Sequence, residues 1–197
     1  MGTRGLYGIR KGGVDKATYN HFDSYPSQLG DHFTRFCAAL GADGLSKLFD
    51  RIELVDQVEK PMSDQEAYCV ERGWSNSDAP ESWYDSLRLL QGNFQSYLAA
   101  AGATGPVYMT DDADFIRDSL FCEYAYIANL DEGVLEFWAG FQKRPDPANR
   151  YGQDADCGYY PCRLLATWPL DALSDVRAVV DKMEALSKAD YEEQNVA

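Results

Sequence analysis

Histidine is scarce in this chain: among 197 residues only His21 and His32 occur. Two histidines cannot build a three-histidine catalytic zinc site. Cysteine is also limited. The five thiols at 37, 69, 122, 157 and 162 are odd in number and widely spaced, which does not resemble a disulfide framework. Cys37, Cys69 and Cys122 fall in apolar patterns and read as small core residues. Cys157 and Cys162 flank Gly-Tyr-Tyr-Pro with no second pair to complete a zinc knuckle, so structural thiols are expected there and no cofactor or metal. No run of about 18 apolar residues is present, which predicts no membrane span. The start, Met1-Gly2-Thr3-Arg4-Gly5-Leu6, lacks the apolar stretch of a secretion signal, and Leu6 stands where myristoylation wants Ser or Thr. These features predict a protein of the reducing cytoplasm. Also missing are the Gly-x-Ser-x-Gly, Walker, Rossmann, His-Glu-x-x-His and calcium-loop patterns.

Acid is abundant. The net charge is −14, and most of it falls in one segment: residues 43–136 hold six basic and 19 acidic residues. Phosphates need basic contacts, so this segment argues against direct nucleic-acid binding. It suits either simple solubility or a protein partner with a basic surface. Asp111, Asp112 and Asp114, with Glu132 further on, are the partner-binding candidates. The Asp111–Asp114 cluster also suits a helix start, where carboxylates oppose the dipole, or a divalent cation.

The hydrophobic pattern predicts one α+β domain over residues 1–197. Leu6–Arg10 and Lys16–Phe22 alternate around Gly12-Gly13, a hairpin turn. Helical spacing follows over Leu29–Leu40, over Asp43–Val58, from the capping box Ser63-Asp64-Gln65-Glu66 to Gly73, and over 82–101. A short helical piece is expected within Asp111–Ser119. The period then changes to two. Cys122–Leu130 and Val134–Gln142 flank Asp131-Glu132-Gly133 as a second hairpin. Cys162–Trp168 reads as a last strand and Leu170–Tyr191 as a last helix. The expectation is a five-stranded, mainly antiparallel sheet, two hairpins plus one strand, with helices on one face or end. Residues 143–160 form a loop long enough to suggest a lid or binding loop.

The densest polar and aromatic cluster, Tyr19–Pro26, lies where the first hairpin runs into a helix. Unpaired helical N–H groups at such a junction favour an anion. His21 and Asp23 could serve as a base and its orienter, with Arg4, Asn20 and Tyr25 as further ligand-binding candidates. A structural reading stands beside this: Phe22 in the core, Ser24 or Asp23 capping the helix, His21 half-buried. Two functions remain open. One is an acidic interaction protein that binds and inhibits a host protein with a basic, nucleic-acid-binding surface. The other is a small enzyme or ligand-binding domain for an anionic metabolite or nucleotide, with its pocket between the 19–25 junction and the 143–160 loop.

The opening Met-Gly-Thr-Arg, with Tyr19-Asn20-His21-Phe22-Asp23-Ser24-Tyr25-Pro26-Ser27 and Gly30, resembles a family of hypothetical proteins from phages, prophages and bacteria. Its members begin Met-Gly-Thr-Arg and carry a Tyr-x-x-Phe/Tyr-Asp-Ser/Gly-Tyr-Pro segment. Tyr124–Ile127 and Leu135–Phe137 resemble it more weakly. The resemblance implies a setting in mobile elements, where small acidic proteins bind host machinery, and implies no mechanism. The opening is also similar to N-terminal-nucleophile hydrolases, but Gly2 carries no nucleophile, and Met1 and Gly2 would both have to be removed before Thr3 could serve.

Overall fold

Gly12 and Gly13 both adopt positive φ (60° and 77°), the conformation a two-residue hairpin turn demands. They join β1 (Gly5–Lys11) to β2 (Val14–Asn20). The computed structural model describes residues 2–76 and 79–195. The second hairpin, β5 (Tyr124–Asn129) and β6 (Val134–Ala139), forms as the alternation predicts, and β7 (Arg163–Pro169) pairs antiparallel with β6. The hairpins meet side by side through a parallel β1–β5 pair, giving the order β2-β1-β5-β6-β7. Parallel pairing brings both hairpin turns to one end of the sheet. There the Asp131 carboxylate accepts hydrogen bonds from the Gly12 and Gly13 N–H groups, at 2.7 and 2.9 Å, and these bonds lower its pKa.

One sheet face carries Tyr7, Ile9, Tyr126, Ala128, Leu135 and Phe137, all buried under helices. The cover consists of α1 (Asp31–Arg51), α4 (Phe94–Gly102) and α5 (Val176–Asn195). Phe33, Phe36, Phe94 and Tyr97 gather around Tyr7 with ring centroids 5.0 to 6.3 Å apart. Aromatic surface of this size dominates a core. The opposite face carries Leu6, Ala17, Ala125, Ile127 and Trp138, and it is covered by Ile116, from a short 3-10 turn over Ala113–Arg117, and by Cys122, Tyr151 and Cys162 from irregular segments.

Three elements depart from expectation. The Asp43–Val58 helix stops at Arg51; the break before it falls at Gly41 (φ 61°) as expected, inside α1. Ile52–Val55 instead forms β3, paired in parallel with β4 (Val107–Thr110), a strand that the sequence pattern did not reveal. β3 is only four residues long, and an apolar run that short is ambiguous between helix and strand until a partner appears. The helix expected over 82–101 is interrupted. Only Trp83–Ser86 (α3) and α4 are helical, separated by a turn in which Gly92 has φ 65° and the Asn93 side chain caps α4 by accepting from the Ser96 N–H. The helix at 63 forms as α2 (Ser63–Glu71), but Met62 and not Ser63 takes the cap position: Gln65 Oε1 accepts from the Met62 N–H, and Glu66 turns inward to accept from the Ser75 and Ser86 hydroxyls. Among the described residues no helix is long and apolar enough to cross a membrane.

The long connection between β6 and β7 is pinned rather than free. Arg150 reaches the sheet and bonds Glu136, while Tyr151 packs on Trp138 at 5.1 Å and donates to Asp15 Oδ2 at 3.2 Å. At its start, Gln142 donates to Asp190 and accepts from Gln194, both on α5.

Candidate functional site

The strand-to-helix junction is built around Asn20 and Ser24. Asn20 ends β2, and its Nδ2 donates to Ser24 Oγ at 2.8 Å and to the Phe22 carbonyl. Ser24 is fully buried; its N–H bonds the Thr3 carbonyl and its own carbonyl accepts from the Tyr126 hydroxyl at 2.9 Å. The chain then enters a single wide π turn over Pro26–Gly30 before α1. Gly30 is needed there, because a Cβ would stand 2.9 Å from the Tyr126 ring.

This arrangement overturns the structural expectations for three residues. Ser24 caps no helix: Tyr25 occupies the cap position, and no side chain bonds the first helical N–H groups. Asp23 does not cap either; it is exposed, with φ 52°, and only its backbone carbonyl accepts, from the Leu29 N–H. Phe22 is 58% exposed and outside the core. The reason is the turn at Asp23: positive φ reverses the chain just after β2 ends, so alternation no longer assigns faces beyond Asn20.

His21 and Asp23 both line a cleft of about 320 Å³, with no hydrogen bond between them among the described residues. Asn20 and Phe22 line it as well. His32 on α1 and Tyr84, Arg88, Gln91 and Gly92, from α3 and the turn after it, also line it. His21 is held by a 2.6 Å hydrogen bond between its Nδ1 and the Tyr19 hydroxyl, whose pKa is raised by burial. Its ring meets Phe22 edge-on at 4.2 Å. The remaining candidates lie elsewhere. Arg4 stacks on Phe121 at 4.4 Å, and Tyr25 borders a different cleft with Tyr124 and Tyr191. No residue of 143–160 lines the histidine cleft, because Arg150 and Tyr151 hold that loop on the sheet face carrying Trp138.

The carboxylate candidates gather at the outer edge of β2. The Asp112 N–H donates to the Ala17 carbonyl, and its Oδ2 accepts from the Tyr19 N–H (3.0 Å) and the Thr110 hydroxyl (2.6 Å). Asp111 and Asp114 are exposed beside it, with Asp114 paired to Arg117 at 3.0 Å. Together with Asp15 these three line a groove of about 670 Å³ whose walls include Leu54, Tyr84 and Phe115 and no basic side chain. Burial raises the Asp15 pKa despite Arg10 and Arg150 nearby. Glu132 lies apart, on the exposed β5–β6 turn beside Asp131. No family model, curated protein or solved structure matches the chain.

Gln28, His32, Tyr84, Arg88, Gln91 and Gly92 are the cleft residues that the pattern did not single out. A signal existed for two of them. His32 is one of only two histidines, and Gln91-Gly92-Asn93 is turn chemistry inside a helical pattern.

Proposed function

We propose that the protein is an acidic interaction protein that docks a partner of basic surface along the groove at the β2 edge. The observation that carries this reading is the lining of that groove: four carboxylates, apolar walls and no basic residue. A Lys or Arg side chain from a partner would find charge at the rim and apolar surface for its stem. Asp111 makes no ion pair among the described residues, and so is available to a partner. Asp15 and Asp112 are tied to internal donors and shape the groove more than they attract. The resemblance of the first thirty residues to hypothetical proteins of phages, prophages and bacteria favours a host protein that binds nucleic acid as the partner, with the carboxylates standing where phosphates would. Affinity capture from host lysate at low and high salt tests the proposal, with the D111N/D114N double variant alongside. A partner retained at low salt, released at high salt and lost from the variant supports it. Retention indifferent to both salt and variant overturns it.

A further inference from the structure

The histidine cleft is separate chemistry from the acidic groove, although Tyr84 borders both. Its one full positive charge is Arg88, which is exposed and makes no hydrogen bond or ion pair among the described residues. Neither His32 nor Gln91 has a hydrogen-bonded side chain there either. Asn20, which is 6% exposed, lines the same cleft. Its amide nitrogen is spent on Ser24 and Phe22, which fixes the orientation of its oxygen. That Oδ1 faces Gly92, lying 3.0 Å from where a Cβ would be, and accepts no hydrogen bond among the described residues. That oxygen lines the cleft as an acceptor whose direction the two amide bonds set. At the mouth, Phe22 presents an exposed ring already braced on its edge by His21.

From this geometry we infer that the cleft binds a nucleoside monophosphate. The phosphate pairs with Arg88, with His32 and Gln91 as further donors. The base stacks on the open ring of Phe22 and donates from its polar edge to Asn20 Oδ1. The volume, about 320 Å³, lies at the small end of ligand pockets and suits one nucleotide. Base–aromatic stacking and a guanidinium–phosphate contact are each common in nucleotide recognition. The net acidity of the chain does not oppose this, since Asp23 is the one carboxylate lining the cleft.

Isothermal titration of the full chain with AMP, GMP, CMP and UMP tests the inference, with the matching nucleosides and inorganic phosphate as separate arms. At least one monophosphate should bind in the millimolar range or tighter, and more tightly than both its nucleoside and phosphate alone. R88Q should weaken that binding roughly ten- to hundredfold, the loss of one charge-assisted hydrogen bond. F22A should weaken it through the base while leaving the affinity for phosphate unchanged. Both side chains are exposed, so thermal unfolding of the variants should match the parent. No binding by any monophosphate, binding of phosphate as tight as that of the nucleotides, or binding unaffected by R88Q would each overturn the inference.

Discussion

Arg150 and Glu136 form a two-pronged ion pair beneath the long β6–β7 connection, Nη1 to Oε1 at 2.7 Å and Nη2 to Oε2 at 2.6 Å. Glu136 is 3% exposed and also accepts from Asn129 Nδ2 and Trp138 Nε1, at 2.7 and 2.9 Å. The guanidinium lies 4.7 Å from the ring centroids of both Trp138 and Tyr151. A buried carboxylate with four donors is satisfied; one deprived of its cation is not.

Arg150→Met should therefore destabilise the protein by about 3–5 kcal/mol, because Glu136 stays buried and loses its charge partner. The double variant R150M/E136L should recover much of that loss. Urea denaturation of the parent, R150M, E136L and the double variant gives the coupling directly. Amide exchange over 143–160 should rise selectively in R150M, since this pair pins the loop.

Phe22 and Phe33 separate surface from core. Phe33 is 1% exposed inside the aromatic cluster, and Phe33→Ala should cost about 3–5 kcal/mol. Phe22→Ala, at an exposed position, should cost less than about 1 kcal/mol. Thermal melts of the two variants check this; equal losses would place Phe22 in the core after all.

Gly92→Ala should be destabilising by about 1–3 kcal/mol. The position has φ 65°, where a Cβ is strained, and that Cβ would press on Asn20 Oδ1 at 3.0 Å. The Gly92 N–H also donates to the Tyr7 hydroxyl at 3.0 Å, so the strain is transmitted into the core. Gly102→Ala, in α4 with open space around it, should be neutral or slightly stabilising.

Burial pushes the Tyr7 hydroxyl up to about 12, above its ordinary value of 10.0, and raises Tyr97 and Tyr126 as well. Above about pH 10 the unfolded chain loses the Tyr7 proton while the folded one keeps it. The stabilisation is complete below that pH and disappears as the pH rises through about 12, a loss of about 2–3 kcal/mol at this one group. Urea midpoints measured up the alkaline limb should fall, and Tyr7→Phe should flatten the fall.

Much of the fold was legible locally. The paired glycines at 12 and 13, the alternation of residues 122–130 and 134–142, and the periodic faces of α1 and α5 each specify a conformation through contacts within a few residues. The Tyr19–Pro26 junction was equally visible as a concentration of polar and aromatic side chains, and Asn20, His21 and Asp23 do line one cleft. Illegible were the faces beyond Asn20, because one positive φ at Asp23 resets the alternation. β3 was read as helix because its four residues acquire a strand's hydrogen bonds only from β4, 55 positions further along in the register Ile52 with Val107.

The sequence by itself determined the class of the chain: acid-rich, without a long apolar run, hairpins and amphipathic helices in a mixed order. Tertiary structure alone decided the rest. It set β1 beside β5, brought Arg88 and Gly92 into one cleft with His21, drew Asp112 onto the edge of β2 and tied Arg150 to Glu136. Short-range periodicity states which face of an element is apolar, but every apolar face is compatible with many partners. Only the simultaneous fit of side-chain volumes, ring edges and buried charges across the whole core selects one.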